Sequence, residues 1–114
     1  MPAVDFNGLD TAVHGPIRLG VLTALATDGP IDFTTLKERL RLSDGAVGPQ
    51  LLKLEEIGYL RCFKSFVARR SRSTYSITPA GRKALLKYLD QMQAVIDAVR
   101  KKEESLERRR GTLP

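Results

Sequence analysis

The chain has 114 residues, of which 42% are hydrophobic and 28% charged, and these proportions are typical of one globular domain. The longest apolar runs are a few residues, and the first ten residues lack a basic region followed by an apolar stretch, so we expect neither a membrane span nor a signal peptide. One cysteine and one histidine cannot form an intramolecular disulfide or a zinc site and leave little for catalysis. We therefore expect a cytoplasmic protein that is not an enzyme and uses no cofactor.

The net charge of +6 is distributed unevenly along the chain. Residues 1–60 carry five basic and eight acidic side chains, whereas residues 61–89 carry eight basic and no acidic ones. Residues 90–114 carry six basic and five acidic side chains. The middle block makes a local positive field, which suits a polyphosphate partner. A solvated basic surface without a partner is the alternative, but the block coincides with a predicted hairpin, and this favours nucleic acid.

The first part of the chain predicts one regular helix. Residues 1–8 show no periodicity, and we expect them to be loose. Residues 9–13 have the length of one helical turn. Pro16 suits the first turn of a helix, and the apolar residues of 16–26 follow the 3.6-residue period. The Asp-Gly-Pro sequence at 28–30 ends that helix.

Two more helices follow after a stub strand. Thr34 or Thr35 is expected to cap the first, which is about seven residues long. Residues 41–43 separate it from the second helix, 44–57, and the last residue of that linker is a serine that suits the N-cap. Gly58 fits the left-handed position that closes the second helix. Two helices joined by so short a linker predict a helix-turn-helix.

The period then changes from 3.6 to 2, which predicts a β-hairpin. Residues 59–66 alternate as a strand, with Cys62 and Phe66 on the side expected to be inward. Residues 67–72 are predicted to be the turn, and 73–77 the returning strand. A hairpin directly after a helix-turn-helix makes a winged helix, so we predict a mainly α fold with a small β-hairpin over residues 9–88.

The last segment predicts a long helix over residues 79–107, followed by a frayed tail at 108–114. Its apolar residues alternate in steps of four and three, the spacing of a coiled-coil seam. We expect this seam to pack against a second copy of the chain; packing against the domain's own first helix is the alternative. The predicted dimerisation residues are Leu85, Leu89, Met92, Ile96, Val99 and Leu106.

Two runs, LSDGAVGPQLLKLEEIGYL at 42–60 and FVARRSRSTYSITPAGRKAL at 66–85, resemble the MarR-like winged-helix transcriptional regulators. The resemblance covers about residues 9–90 and is strongest to the short subgroup that lacks a separate sensor domain. It implies a homodimer that binds double-stranded DNA; we expect this dimer to act as a repressor and to be nucleoid-associated when bound. It also implies that recognition helix 44–57 enters the major groove while wing 67–73 contacts the backbone or minor groove.

Candidate DNA contacts come from this resemblance together with the charge pattern. Arginine side chains in a wing suit phosphates and narrow minor grooves. Gln50 can bridge an adenine edge, whereas the basic residues outside the wing tip position the protein on phosphates. The expected contacts are Ala46, Pro49, Gln50, Lys53, Arg61, Lys64, Arg69, Arg70, Arg72 and Ser73.

The sequence departs from the family pattern in the recognition helix. The family usually has polar residues where Ala46, Gly48 and Pro49 stand. A proline inside a helix removes one hydrogen bond, so we expect a distorted first turn or two. Pro49 and Leu52 also favour an alternative function, a protein-interaction or assembly module with little base readout. A third possibility adds a small-molecule effector, bound between the long helix and the helix-turn-helix.

Overall fold

The computed structural model describes residues 5–111, and it has the predicted architecture of a mainly helical winged helix with a small sheet. Within that part of the chain, no helix is both long enough and apolar enough to cross a membrane. The elements are α1 (Pro16–Asp28), β1 (Ile31–Asp32), α2 (Phe33–Leu40), α3 (Asp44–Glu56), β2 (Leu60–Val67), β3 (Arg70–Ile77) and α4 (Pro79–Gly111).

The three strands form one antiparallel sheet in the order β1-β3-β2. β2 and β3 pair along their whole length, from Leu60 opposite Ile77 to Val67 opposite Arg70. β1 is a two-residue stub that pairs only with the Thr74–Tyr75 segment of β3. The sheet therefore has three strands at its base, where β1 pairs with β3, and only two strands beyond it. This two-stranded part is the wing.

The core lies where α1, α3 and the first turns of α4 meet the inner face of the sheet. The predicted inward positions of α3, Val47, Leu51 and Leu54, are all buried, as the helical period requires. The buried apolar residues are Val13, Val21, Leu22, Leu25, Ile31, Leu36, Val47, Leu51, Leu54, Leu60, Leu85 and Tyr88. One continuous core thus fixes the orientation of the recognition helix relative to the wing.

The expected caps of α3 are present, and Thr78 caps α4. Ser43 Oγ accepts a hydrogen bond from the amide of Ala46 at 3.2 Å. Gly58 has a φ of 86°, the left-handed conformation predicted for it. The Thr78 hydroxyl donates to the carbonyl of Gly58 at 2.6 Å and accepts from the amide of Gly81 at 3.0 Å, so it ties the end of α3 to the start of α4.

The cap predicted for α2 is wrong. Asp32, not Thr34 or Thr35, is the N-cap, and its carboxylate accepts from the Thr35 amide at 3.2 Å. An aspartate carboxylate caps a helix as effectively as a hydroxyl does. Here the carboxylate belongs to Asp32, the residue that directly follows the buried strand residue Ile31. The helix therefore begins earlier than the threonines suggest.

The predicted distortion at the start of α3 is also wrong. The helix is continuous from Asp44, and the amide of Val47 donates to the carbonyl of Ser43 at 3.1 Å. Pro49 lies inside the helix, and the bond that it cannot make is the one to the carbonyl of Gly45. Gly45 is exposed, so water can satisfy that carbonyl without a break in the helix.

The wing turn is shorter than predicted. It comprises only Ala68 and Arg69, with φ values of 51° and 66°, so the strands extend into the region expected to be a six-residue turn. Phe66, expected on the inward side, is 77% exposed. The alternation itself is correct, but the wing extends past the helices that cover the base of the sheet, so both of its faces meet solvent.

The chain termini are more ordered than the sequence indicated. Residues 5–8, expected to be loose, contain a 3-10 turn at Phe6–Gly8 that Asp5 caps through its side chain. α4 continues through the segment expected to fray as far as Gly111. The remaining parts of the two terminal predictions, at 1–4 and 112–114, lie outside the described residues.

Candidate nucleic-acid interface

The outer side of α3 carries little polar chemistry. Pro49, Leu52 and Lys53 are exposed, as predicted for groove-facing residues. Ala46 and Gln50, expected on the same outer side, are half-buried. The helical geometry explains this difference, because both residues lie on the flank next to the buried stripe rather than opposite it.

Gln50 is held by an arginine of α1 that the sequence did not single out. Arg18 Nη1 donates to Gln50 Oε1 at 2.7 Å, and Nη2 donates to the carbonyls of Thr11 and His14 at 3.2 Å and 2.8 Å. A guanidinium only donates, so the amide oxygen of Gln50 must face Arg18 and its Nε2 must point away. The adenine edge expected for Gln50 needs both amide groups, and one of them is already engaged.

The charge on α3 does not favour DNA. Asp44, Glu55 and Glu56 oppose the single cation Lys53, which gives the helix a net charge of −2. Lys37 of α2 lies 2.9 Å from Asp44, and this hydrogen bond raises the pKa of Lys37. The electrostatic attraction for a polyanion must therefore come from another part of the molecule.

That attraction comes from the wing. The register of β2 and β3 places Arg61, Arg70 and Arg72 on one side of the hairpin, which we call the arginine face. Lys64 lies on the opposite side with Ser73, and Arg69 lies in the turn. All five cations are exposed, whereas Ser73 is half-buried. The predicted wing contacts are thus distributed over both faces and the tip.

A cleft of about 690 Å³ separates the wing from the beginning of α2. The side chains of Arg70 and Arg72 reach it, together with the hydroxyls of Thr34 and Thr35, and Asp32 lies at its base. A hydrogen bond from the Thr35 hydroxyl, with a smaller effect of the Arg72 charge, lowers the pKa of Asp32. Guanidinium donors suit phosphate oxygens, and the cleft brings together Arg70, Arg72 and Ser73 of the predicted set, whereas the Thr35 hydroxyl already donates to Asp32.

A partly buried hydrogen bond of Tyr59 fixes the base of the wing. The Tyr59 hydroxyl donates to Asp10, and this hydrogen bond raises the pKa of Tyr59 to about 12. Burial, with Cys62 close by, raises the pKa of Tyr75 to about 12 as well. Both tyrosines stay neutral at physiological pH, and the Tyr59 hydroxyl links the start of the hairpin to Asp10 of the N-terminal segment.

The predicted seam on α4 is divided between two environments. Leu85 is buried in the core of its own chain, so its place in the predicted seam is wrong, whereas Met92 is half-buried and packs partly against that core. These turns of α4 pack on α1 through Leu85, while Leu86 and Leu89 on their outer side stay exposed. The later seam residues differ: Leu89, Ile96 and Val99 are 41%, 42% and 59% exposed, and Leu106 is half-buried.

Known proteins share both the sequence pattern and the fold. The family model described as a winged helix DNA-binding domain matches residues 17–96. An uncharacterized protein of Methanocaldococcus jannaschii is 36% identical over 73 residues, which are 64% of this chain and 79% of that protein.

Solved structures extend the comparison. A transcriptional regulator homologue from Pyrococcus horikoshii superimposes with a TM-score of 0.72 at 27% identity, over 77% of this chain and 87% of the other. NadR in complex with 4-hydroxyphenylacetate shares the fold, with a TM-score of 0.64 at 22% identity over 87% and 73% of the two chains. These similarities confirm the resemblance to MarR-like winged-helix transcriptional regulators, which bind DNA and are not enzymes.

Proposed function

The chain belongs to the winged helix DNA-binding domain family, and we propose that it is a homodimeric, sequence-specific repressor of transcription. Each α3 enters the major groove, and each wing contacts the backbone or the minor groove. The protein acts in the cytoplasm and is nucleoid-associated when bound to DNA.

The unneutralised charge of the wing is the observation that carries this proposal. The two ion pairs that the structure gives for residues 5–111, Lys37–Asp44 and Arg39–Asp28, lie outside the wing. In the described chain, Asp32 is the acid whose pKa responds to a wing arginine. Four exposed cations on a narrow projection, with Arg61 at its base, suit two phosphate rows on either side of a groove.

Base readout in this proposal rests on a few groups of α3. Gln50 presents its Nε2 as a donor, which suits acceptors such as guanine O6 or N7 and thymine O4. Lys53 binds a backbone phosphate, and Ala46 and Pro49 lie against apolar groups such as thymine methyls. The operator is therefore recognised by a small number of direct contacts together with the shape that the wing reads.

The exposed part of α4 supports the dimer. Leu89, Ile96 and Val99 follow the heptad spacing and meet solvent in a single chain, so a second copy related by two-fold symmetry can bury them. The two recognition helices then contact half-sites about 34 Å apart on one side of the duplex.

A small apolar effector is a second element of the proposal. A cavity of about 270 Å³ lies between the N-terminal turn and α4. At its edge His14 Nδ1 is 2.7 Å from the hydroxyl of the buried Tyr88. NadR, which shares this fold, forms a complex with the small aromatic acid 4-hydroxyphenylacetate, and this supports an effector of similar size. The cavity is lined by Phe6, Leu9, Thr11, His14, Met92 and Val95.

A salt titration tests the proposal. Duplex DNA is selected from a random-sequence library, and its affinity is measured by fluorescence anisotropy at 50 and 200 mM salt. If six to ten phosphates are neutralised, the affinity falls by about 10³–10⁵-fold over that range. An affinity that hardly changes contradicts an interface built on these cations.

The matched variant replaces Arg69, Arg70 and Arg72 with alanine. All three residues are exposed, so the free energy of unfolding should stay within about 0.5 kcal/mol of the original value. DNA affinity should fall strongly, and its salt dependence should become weaker.

The alternative function, a protein-interaction module, draws on a different surface. Leu52 is 57% exposed on α3 beside Pro49, and the helix has a net negative charge. If the triple arginine variant keeps the DNA affinity of the original protein while Leu52→Ser changes the binding of a protein partner, this alternative replaces the repressor.

A further inference from the structure

Phe66 is the most exposed large apolar side chain in the described part of the chain, with 77% of its surface accessible. It lies in β2, two residues before the Ala68–Arg69 turn. Full exposure of a phenylalanine leaves a large apolar surface in water, and such surfaces often mark binding sites.

The construction of the wing explains why Phe66 is uncovered. Its cross-strand neighbour is Ser71, and the next pair on the same face is Lys64 with Ser73. Serine side chains are too short to cover an aromatic ring. β1, which widens the base of the sheet, pairs no further along β3 than Thr74. The ring therefore projects from a two-stranded blade on which every neighbour is small or cationic.

The electrostatic surroundings of Phe66 restrict its partner. Residues 61–89 contain eight basic and no acidic side chains. Lys64 lies on the same face as Phe66, Arg69 lies in the turn, and the arginine face lies behind. A partner that touches the ring must therefore be strongly anionic and must also offer apolar or stacking surface. The minor groove of DNA has both, because sugars and base edges lie between two rows of phosphates.

We propose that Phe66 is an apolar wedge that enters the minor groove and partly unstacks one base step, while Lys64 and Arg69 bind the flanking phosphates. This inference rests on the proposed DNA-binding function and adds to it a bend in the DNA. Proteins that insert phenylalanine or similar side chains from the minor groove kink the duplex by about 20–90°.

The experiment compares three variants on one selected duplex of about 30 base pairs, a length over which a kink shortens the end-to-end distance. Energy transfer between dyes at the two ends reports the bend, and anisotropy reports the affinity. Phe66→Ala should bind about tenfold more weakly and bend the DNA less, with an unchanged salt slope, because no charge is lost. Phe66→Leu keeps a wedge and should retain most of the bend.

Phe63→Ala is the matched control. Phe63 is 54% exposed in the same strand but on the opposite face, so its loss should leave the bend and the affinity unchanged. Thermal unfolding of all three variants shows that each is folded.

Three results overturn the inference. In the first, Phe66→Ala binds and bends DNA like the original protein. In the second, Phe66→Ala changes the oligomeric mass in light scattering while DNA binding is intact, which assigns the ring to a protein contact. In the third, the original protein selects no duplex at all, and this result alone also rejects the proposed function.

Discussion

Two residues at the wing tip adopt a backbone conformation that their side chains disfavour. Ala68 and Arg69 both have positive φ, the pattern of a type I′ turn, in which asparagine and glycine are the preferred residues. The left-handed conformation costs an ordinary residue about 1–2 kcal/mol. The tight turn nevertheless keeps β2 and β3 paired up to Val67 and Arg70, and it places the Arg69 side chain at the very end of the blade.

Substituting glycine for Ala68 or Arg69 distinguishes the effect of backbone strain from the effect of the Arg69 charge. Ala68→Gly should raise the free energy of unfolding by about 0.5–1 kcal/mol, because relief of the strain exceeds the extra entropy of the unfolded chain. Arg69→Gly should give a similar gain in stability. Denaturant unfolding measures both changes.

The DNA affinities of the same two variants should differ. Ala68→Gly should bind DNA like the original protein, whereas Arg69→Gly should bind more weakly and with a salt slope reduced by about one. Equal affinities for the two variants would show that Arg69 contributes no phosphate contact.

At the scale of the elements, the join between α4 and the sheet depends on one glycine. A Cβ atom built on Gly81 would lie 2.3 Å from the carbonyl oxygen of Tyr59 and 3.0 Å from Ile77. The obstacle is backbone, so it cannot rotate away. Gly45 in α3 is the opposite case, because a Cβ atom there has nothing within 4 Å. One helical glycine is therefore required by a close backbone contact and the other is not, and the sequence alone does not show which is which.

Replacing each glycine with alanine tests this difference. Gly81→Ala should lower the free energy of unfolding by about 1–3 kcal/mol, as overpacking does, because α4 must move away from β2. Gly45→Ala should raise it by about 0.5–1 kcal/mol, because alanine restricts the unfolded chain and fits an open helix surface. Chemical denaturation of the two variants gives both values, and a stabilised Gly81→Ala would contradict the close approach.

At the scale of the whole molecule, α4 makes the shape elongated, with extents of 73 × 27 × 22 Å. Its first turns are anchored by Leu85 and Tyr88 in the core, whereas the later turns extend away from the domain. Apolar residues on an extended helix are stable in water when a second helix covers them. The proposed dimer would cover the part of the seam that the core does not use.

Charge in the exposed seam should separate the two copies. Leu89→Glu with Ile96→Glu places four carboxylates in a symmetric contact, so light scattering should show monomers, and DNA binding should be lost with the second half-site. Lys101→Glu is the control, since that exposed residue lies on the side of the helix away from the seam. A dimer that survives the double substitution would place the interface on another surface.

A structural feature can be predicted from the sequence when the residues that cause it are close together along the chain. The helical period identified the buried face of α3, and Gly58 marked its end, because both signals act within one or two turns. The block of cations at 61–89 likewise identified the wing as the electropositive part of the molecule. Arg18 gave no such signal, because its contact with Gln50 joins residues 32 positions apart.

The order of the elements, the winged-helix fold and the positive wing could all be predicted from the amino-acid sequence. These properties follow from periodicity, capping residues and charge, all of which are local in the chain. The exposure of Phe66 and the burial of Leu85 in the core depend instead on how the elements pack. Alternation shows which residues share a face, but burial depends on whether another element covers that face, and here β1 and the helices end before the wing does.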